Sequence, residues 1–266
     1  MEVHHHSHPP AGAGHRKKWT HYFWEFLMLF LAVFCGFLAE NQREHYVEAH
    51  RAKEYAKSLL SDMKEDTTEI SGGIAQNTFM IKAFDSCVSI GQRSIDQSTV
   101  PGVFYYYSRF TSNAYAIDWN RSTLTQLIQS GNLRYFKNKE LVRKINKYYS
   151  LQNQIGSNND ADHLHRDRIL EIRDRLLAAR YYEYFAPVSI SAEMKGHVPE
   201  SRMDSLMTQQ LSLKAGSTGI MEEYLNNLMD RKWRNKRYVD ELYPEAMQMA
   251  VEMLFQVQTV LHRIWQ

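Results

Sequence analysis

Apolar positions in this chain fall first into one unbroken block and then into helical periodicities. From Phe26 to Ala39 the sequence reads FLMLFLAVFCGFLA. These 14 residues are short of the roughly 20 that a helix needs to cross a bilayer. Trp19, Tyr22, Phe23 and Trp24 extend the block as an aromatic belt, and Glu25 is the only charge between Trp19 and Ala39. The extended stretch has 21 residues, about 31 Å of helix, and predicts a transmembrane helix over 19–39. Arg16, Lys17 and Lys18 precede it, whereas Glu40, Arg43 and Glu44 follow, so the positive-inside rule places the N-terminus in the cytoplasm. A cleaved signal peptide is the rival reading. Against it, bulky Phe37 stands three residues before the Ala39–Glu40 junction, and Phe34 stands before Cys35, where a lipoprotein signal carries a small residue. Glu25 lies about 10 Å along the helix from Lys18, within snorkelling reach of the headgroups. A contact with a partner helix is the sharper alternative. Gly36 with Ala32 forms a small-xxx-small pair.

Beyond the span, Tyr46, Ala49, Lys53, Ala56, Leu60, Met63, Thr67 and Ile70 recur at alternating spacings of 3 and 4, a coiled-coil-like seam. Ser71-Gly72-Gly73 predicts a break, with helix resuming from Ile74 to about Ser89. Residues 91–117 read as a loop packed on the bundle. Leu124, Leu127 and Ile128 predict a short helix stopped by Gly131 as a left-handed C-cap, with Leu133 making the accompanying apolar contact. Asn138 is placed to N-cap a helix whose face is Leu141, Ile145, Tyr148 and Ile155. GSNNDAD (156–162) reads as a loop. Ile169, Ile172, Leu176 and Ala179 mark another helix, and Pro187 sets its latest end. Residues from there to about Thr218 read as irregular. Ile220, Tyr224, Leu225 and Leu228 mark a further helix. Pro244 opens the last one, where Met247, Ala250, Leu254, Val257, Leu261 and Ile264 form a stripe widened by Val251, Met253, Val260 and Trp265. So much apolar surface is expected to pack centrally, against the long N-terminal helix.

These elements predict an all-α protein: one N-terminal transmembrane helix continuing into a membrane-tethered helical bundle. The expected parts are a His-rich cytoplasmic tail (1–18), the span (19–39) and an extracytoplasmic helical domain (40–266). Composition agrees. Gly and Pro number 12 and 6 in 266 residues, too few for a turn-rich β fold. A net charge of +2 argues against a nucleic-acid partner. Cys35 falls in the span and Cys87 in the body, where it reads as a buried small hydrophobe.

Candidate chemistry is sparse. His4, His5, His6 and His8 lie in a Pro/Gly-rich tail where flexible imidazoles can converge on a metal, although a tail with no metal role is the plainer reading. His163-Leu-His165-Arg-Asp167 echoes a dinuclear hydrolase signature, but that signature continues with His where this chain has Arg168. A solvated helix start explains the stretch better. No phosphate-binding Gly loop, nucleophile elbow or His-Glu-x-x-His occurs, and no cofactor is expected. The densest positive run is Arg231, Lys232, Trp233, Arg234, Asn235, Lys236 and Arg237. It reads either as a solvated helix face or as an interaction surface for an anionic headgroup or acidic partner.

The start MEVHHH, then RKKW, then FWEFLMLFLAVFCGFLAENQREH leading into EYAKSLLSDMKEDT, resembles a group of uncharacterised single-pass membrane proteins from Bacteroidota. The resemblance covers residues 1–66 and reappears at TLTQLIQSGNLRYFKNKELVRKINKYY (123–149). It implies an inner membrane with a periplasmic helical body, and carries no activity. The expected function is non-catalytic: a structural or scaffolding subunit of an envelope assembly, contacting the lipid bilayer and a protein partner or second copy through helical faces. A sensory or ligand-binding domain working with a separate transducer is the alternative.

Overall fold

The computed structural model describes residues 19–113, 115–185, 189–196 and 201–264. It is 81% helical and 3% strand, an all-α protein. The chain divides into two compact units, Met1–Arg51 and Ala52–Gln266.

The first unit is built on the beginning of helix α1 (Trp19–Arg93). No residue of its most apolar 18-residue window is buried, and the helix is long and apolar enough to cross a membrane. Phe26, Phe30 and Phe34 stack on successive turns, with ring centroids 6.3 and 5.9 Å apart.

The second unit holds the core. It contains the rest of α1, then α2 (Gly102–Ser108), α3 (Ser122–Gln129), α4 (Lys139–Leu176), α5 (Ala179–Tyr182), α6 (Ile190–Met194), α7 (Ser201–Met207), α8 (Thr218–Arg237) and α9 (Tyr243–Ile264). Two short strands, β1 (Thr99–Pro101) and β2 (Gln210–Ser212), pair antiparallel with Val100 opposite Leu211. A π-helical turn, Tyr238–Leu242, joins α8 to α9, whose second residue is Pro244. Proline has no N–H to offer the preceding turn, and a wider turn absorbs that loss.

Helix α1 shows no break at Ser71-Gly72-Gly73. A Cβ on Gly73 would stand 3.1 Å from Tyr115 and 3.2 Å from Tyr243, so this glycine admits two aromatic rings close to the helix. The buried seam is Ala52, Ala56, Leu59, Met63, Asp66, Ile70, Gly73, Asn77, Met80, Phe84, Cys87 and Gly91. Its steps alternate 4 and 3 throughout, a coiled-coil repeat. It shares Ala56, Met63 and Ile70 with the expected seam but passes through Leu59 and Asp66 in place of Leu60 and Thr67.

Other boundaries follow the caps. Asn138 accepts from the backbone N–H of Glu140 and Leu141 at 3.0 and 3.1 Å and so starts α4. Gly131 sits at φ 68° after α3. The expected loop at 156–162 is instead part of α4: its residues are polar, but nothing in them stops a helix anchored by buried Ile155 and Ile169. Residues 91–117 are more ordered than a loop. They include β1 and α2, and Phe104, Tyr105, Tyr106 and Phe110 are buried. The stretch to Thr218 likewise holds α6, α7 and β2. Pro187 and Trp265 lie outside the described residues, as does the side chain of Ile264.

Side chains of the body form two hydrophobic clusters. One unites Met80, Phe84, Phe104, Ile172, Leu176 and Tyr224 with their neighbours. The other unites Leu59, Met63, Leu124, Ile145, Tyr148, Met253 and Val257. Helix α9 was expected to lie against α1; it packs most closely on α4, and shares the second cluster with Leu59 and Met63 of α1. Its buried line is Ala246, Ala250, Met253 and Val257, leaving Leu254 half-buried and Val251 exposed.

Candidate functional site

Between the two clusters lies a layer of buried polar side chains drawn from three long helices. Asn77 comes from α1, Asp162 from α4, and Arg231 and Asn235 from α8. Asn235 Nδ2 donates to Asn77 Oδ1 at 3.1 Å, and Asn77 Nδ2 donates to the Gly73 carbonyl at 2.9 Å. The Tyr238 hydroxyl donates to Asp162 Oδ2 at 3.1 Å. Arg231, 2% exposed, donates to the carbonyls of Asp162 and Asn113, each at 3.1 Å. Burial lowers the proton affinity of its guanidinium, and Asp162 opposes that effect.

This layer changes the reading of the basic run. Arg231 is interior and is no part of an exposed patch. Lys232 pairs with Asp85 on α1. Arg234 lies 3.6 Å from Asp162 and 3.2 Å from Asp230. Lys236 pairs with Asp240 at 3.4 Å and lies 5.9 Å from the Trp233 ring centre. Arg237 pairs with Glu241 at 3.6 Å. Within the run, Trp233 stands outward as apolar surface, 67% exposed.

The second polar centre is Asp66, fully buried on the α1 seam. Its Oδ2 accepts from the Tyr148 hydroxyl at 2.8 Å and from Gln152 Nε2 at 2.9 Å, and its Oδ1 accepts from the Asn120 backbone at 3.0 Å. Loss of water raises its carboxyl to about 6, against hydrogen bonds that pull the other way. Asp62, one turn earlier and also buried, accepts from the Thr123 backbone at 3.3 Å; burial raises it as well. Burial and the adjoining Asp66 charge push the Tyr148 hydroxyl far up. Above these groups runs a groove of about 490 Å³ lined by Glu65, Thr68, Glu69, Asp118, Trp119 and Asn120. Sequence reasoning does not single out Asp62, Asp66 or Asn77. A signal exists all the same: all three adjoin or occupy positions of an unbroken 4-3 repeat, where a polar residue is interior.

Trp19, Trp24 and Phe26 are exposed at 86, 60 and 64%. Ala39 is also exposed, and Gly36 has open space around it. Glu25 Oε1 lies 3.0 Å from His21 Nε2, one turn back. His4, His5, His6 and His8 lie outside the described residues, as do Arg16, Lys17 and Lys18. His163 and His165 sit within α4; His165 Nδ1 is 3.7 Å from Asp230. Among the described residues no group of three His, Cys, Asp or Glu side chains is arranged to hold a metal. Cys87 is buried, and burial pushes its thiol up. No family model, curated protein or solved structure matches the chain.

Proposed function

We propose that the chain is a membrane-anchored helical body acting by non-catalytic interaction, as a structural or scaffolding subunit of an envelope assembly. The observation that carries this reading is the division of labour along α1. Its first part exposes an apolar surface suited to lipid, and its continuation supplies the seam of the packed body. The sequence resemblance and the charges flanking the span support a bacterial inner membrane, a cytoplasmic N-terminus and a periplasmic body. Phe255, Val251 and Trp233, exposed at 72, 52 and 67%, are apolar surface for a protein partner or second copy.

Two measurements test this. Cysteines engineered into the tail and the body are labelled in intact cells with an impermeant reagent. The body is expected to react and the tail to stay protected; a body labelled only after lysis, or a mature protein starting near Glu40, overturns the topology. Purification in mild detergent, with identification of co-purifying chains, is expected to recover envelope proteins in fixed ratio. A sensory domain is the second reading, favoured by the polar groups buried inside the body. Recovery of a transducing partner whose output changes on deleting this chain would select it.

A further inference from the structure

The stretch from Tyr115 to Thr123 lies against α1 and is held there by acids from two successive turns. Glu69 Oε2 accepts from the Tyr115 hydroxyl at 2.9 Å, and Glu65 Oε2 from Asn120 Nδ2 at 2.7 Å. Asp66 and Asp62 take the backbone N–H groups of Asn120 and Thr123 at 3.0 and 3.3 Å. Thr123 is in the first turn of α3, whose own cap residue supplies no side-chain bond, so Asp62 provides that cap from another helix. Arg121, the one Lys or Arg in this stretch, is turned away from the acids. It donates to the Gln152 carbonyl at 2.8 Å and to Asn153 Oδ1 at 3.1 Å, both on α4.

Asp66 is the acid least able to carry its charge. It has no exposure to solvent, its hydrogen-bond donors are all neutral, and the charge acting on it is that of Asp62. The Tyr148 ring closes one side, with Trp119 edge-on to it at 6.2 Å. Burial and a like charge both favour the neutral acid. The amide beside it can pair with the neutral acid. Gln152 is fully buried, and while its Nε2 donates to Asp66, its Oε1 meets no donor. An ionised carboxylate can only accept; a protonated one carries an O–H. Turning the Gln152 amide about its last bond presents Oε1 to that O–H, a pairing open only to the protonated acid, and moves the unpartnered position to Nε2.

We propose that Asp66 is a proton-operated latch on the Tyr115–Thr123 segment, closed on α1 while its carboxyl carries a proton and loosened when it is ionised. The groups facing the latch agree with that direction. Asp62, Glu65 and Glu69 face it from α1, Asp118 and Tyr115 from the segment, Tyr148 from α4, and Tyr243 through its bond to the Tyr115 carbonyl at 3.4 Å. Losing its proton places the Asp66 charge beside the side chains of Asp62, Glu65, Glu69 and Asp118, with Arg121 already engaged elsewhere. The overlying groove gives water a route to the new charge once Asn120 moves.

The test is hydrogen exchange on the full chain in detergent micelles, read by mass spectrometry at several pH values and corrected for intrinsic exchange. Protection of peptides covering 115–123 is expected to fall by about tenfold or more between about pH 5 and pH 7.5, while peptides from α8 hold theirs. Asp66→Asn, a carboxamide that stays neutral and can donate to Gln152, is expected to keep the segment protected at both ends of the range. Equal corrected protection of the wild-type segment across the range overturns the latch. So does an Asp66→Asn protein that retains the pH dependence. If Asp66→Asn does not fold, the wild-type titration alone decides.

Discussion

Arg231 of α8 donates through Nη1 to the main-chain oxygen of Asp162 on α4, at 3.1 Å, deep in the polar layer of the body. A second bond from Nη2 reaches the Asn113 carbonyl. The guanidinium thus ties α4 and the segment that follows α2 to α8. Arg231→Ala is expected to cost about 2–4 kcal/mol, since it strips two buried acceptors of a charged donor. Arg237→Ala, in the same run but 55% exposed, is expected to stay within about 0.5 kcal/mol. Urea unfolding of the two variants checks the contrast.

On α9 the damage should follow burial, not sequence prominence. Met253→Asp places an unpaired charge where exposure is 0% and is expected to unfold the body or cause its degradation. Leu254→Asp should be milder, because that side chain is half-buried. Val251→Asp should leave stability unchanged; if it also removes a co-purifying chain, the exposed side of α9 is an interface. Glu252→Ala loses a solvent-screened ion pair with Lys144 at 2.7 Å and is expected to change stability little. Thermal melts and pull-downs on the same four proteins separate these outcomes.

Asn138→Ala removes the acceptor for two backbone donors at the start of α4 and is expected to destabilise by about 1 kcal/mol. Asn138→Asp should retain most of the stability, since a carboxylate accepts the same bonds and suits a helix N-terminus. Denaturant midpoints measured in parallel suffice.

Asp66 gives stability a pH dependence of definite sign. Its carboxyl titrates at about 6 in the folded chain and at an ordinary 3.8 when unfolded. Between those values the native state holds a proton that the unfolded chain has released. The contribution is fully present below 3.8 and is lost as pH rises through about 6, on the order of 3 kcal/mol in all. Asp66→Asn should therefore gain on the wild type as pH rises from about 4 to about 7, in paired chemical denaturation curves.

Periodicity and caps are legible in the sequence alone. Asn138, Gly131, the apolar faces of α4 and α8 and the exposed aromatic span follow from residue types whose local chemistry has one good use. Polar residues inside the body are not legible in this way, and they account for most of the differences. Gly73 looks like a helix breaker until Tyr115 and Tyr243 are found against it. The 156–162 stretch looks like a loop until Asp162 is found buried. The basic run looks like a surface until Arg231 is found reaching two carbonyls. Each is locally ambiguous, because its partner lies on a different element. The residues around Asp66 share that property: nothing near position 66 in the sequence announces Asn120 or Tyr148.

The polar layer also bears on cooperativity. Asn77, Asp162, Arg231 and Asn235 separate two greasy tiers that are both threaded by α1 and α4. Tyr115 packs against both. Lesions in different tiers, such as at Phe104 and at Val257, therefore have few shared contacts through which to amplify each other, and their free-energy costs should add. Native-state hydrogen exchange is then expected to resolve two opening free energies, one for each tier, as two stacked foldons with a hydrogen-bonded seam between them.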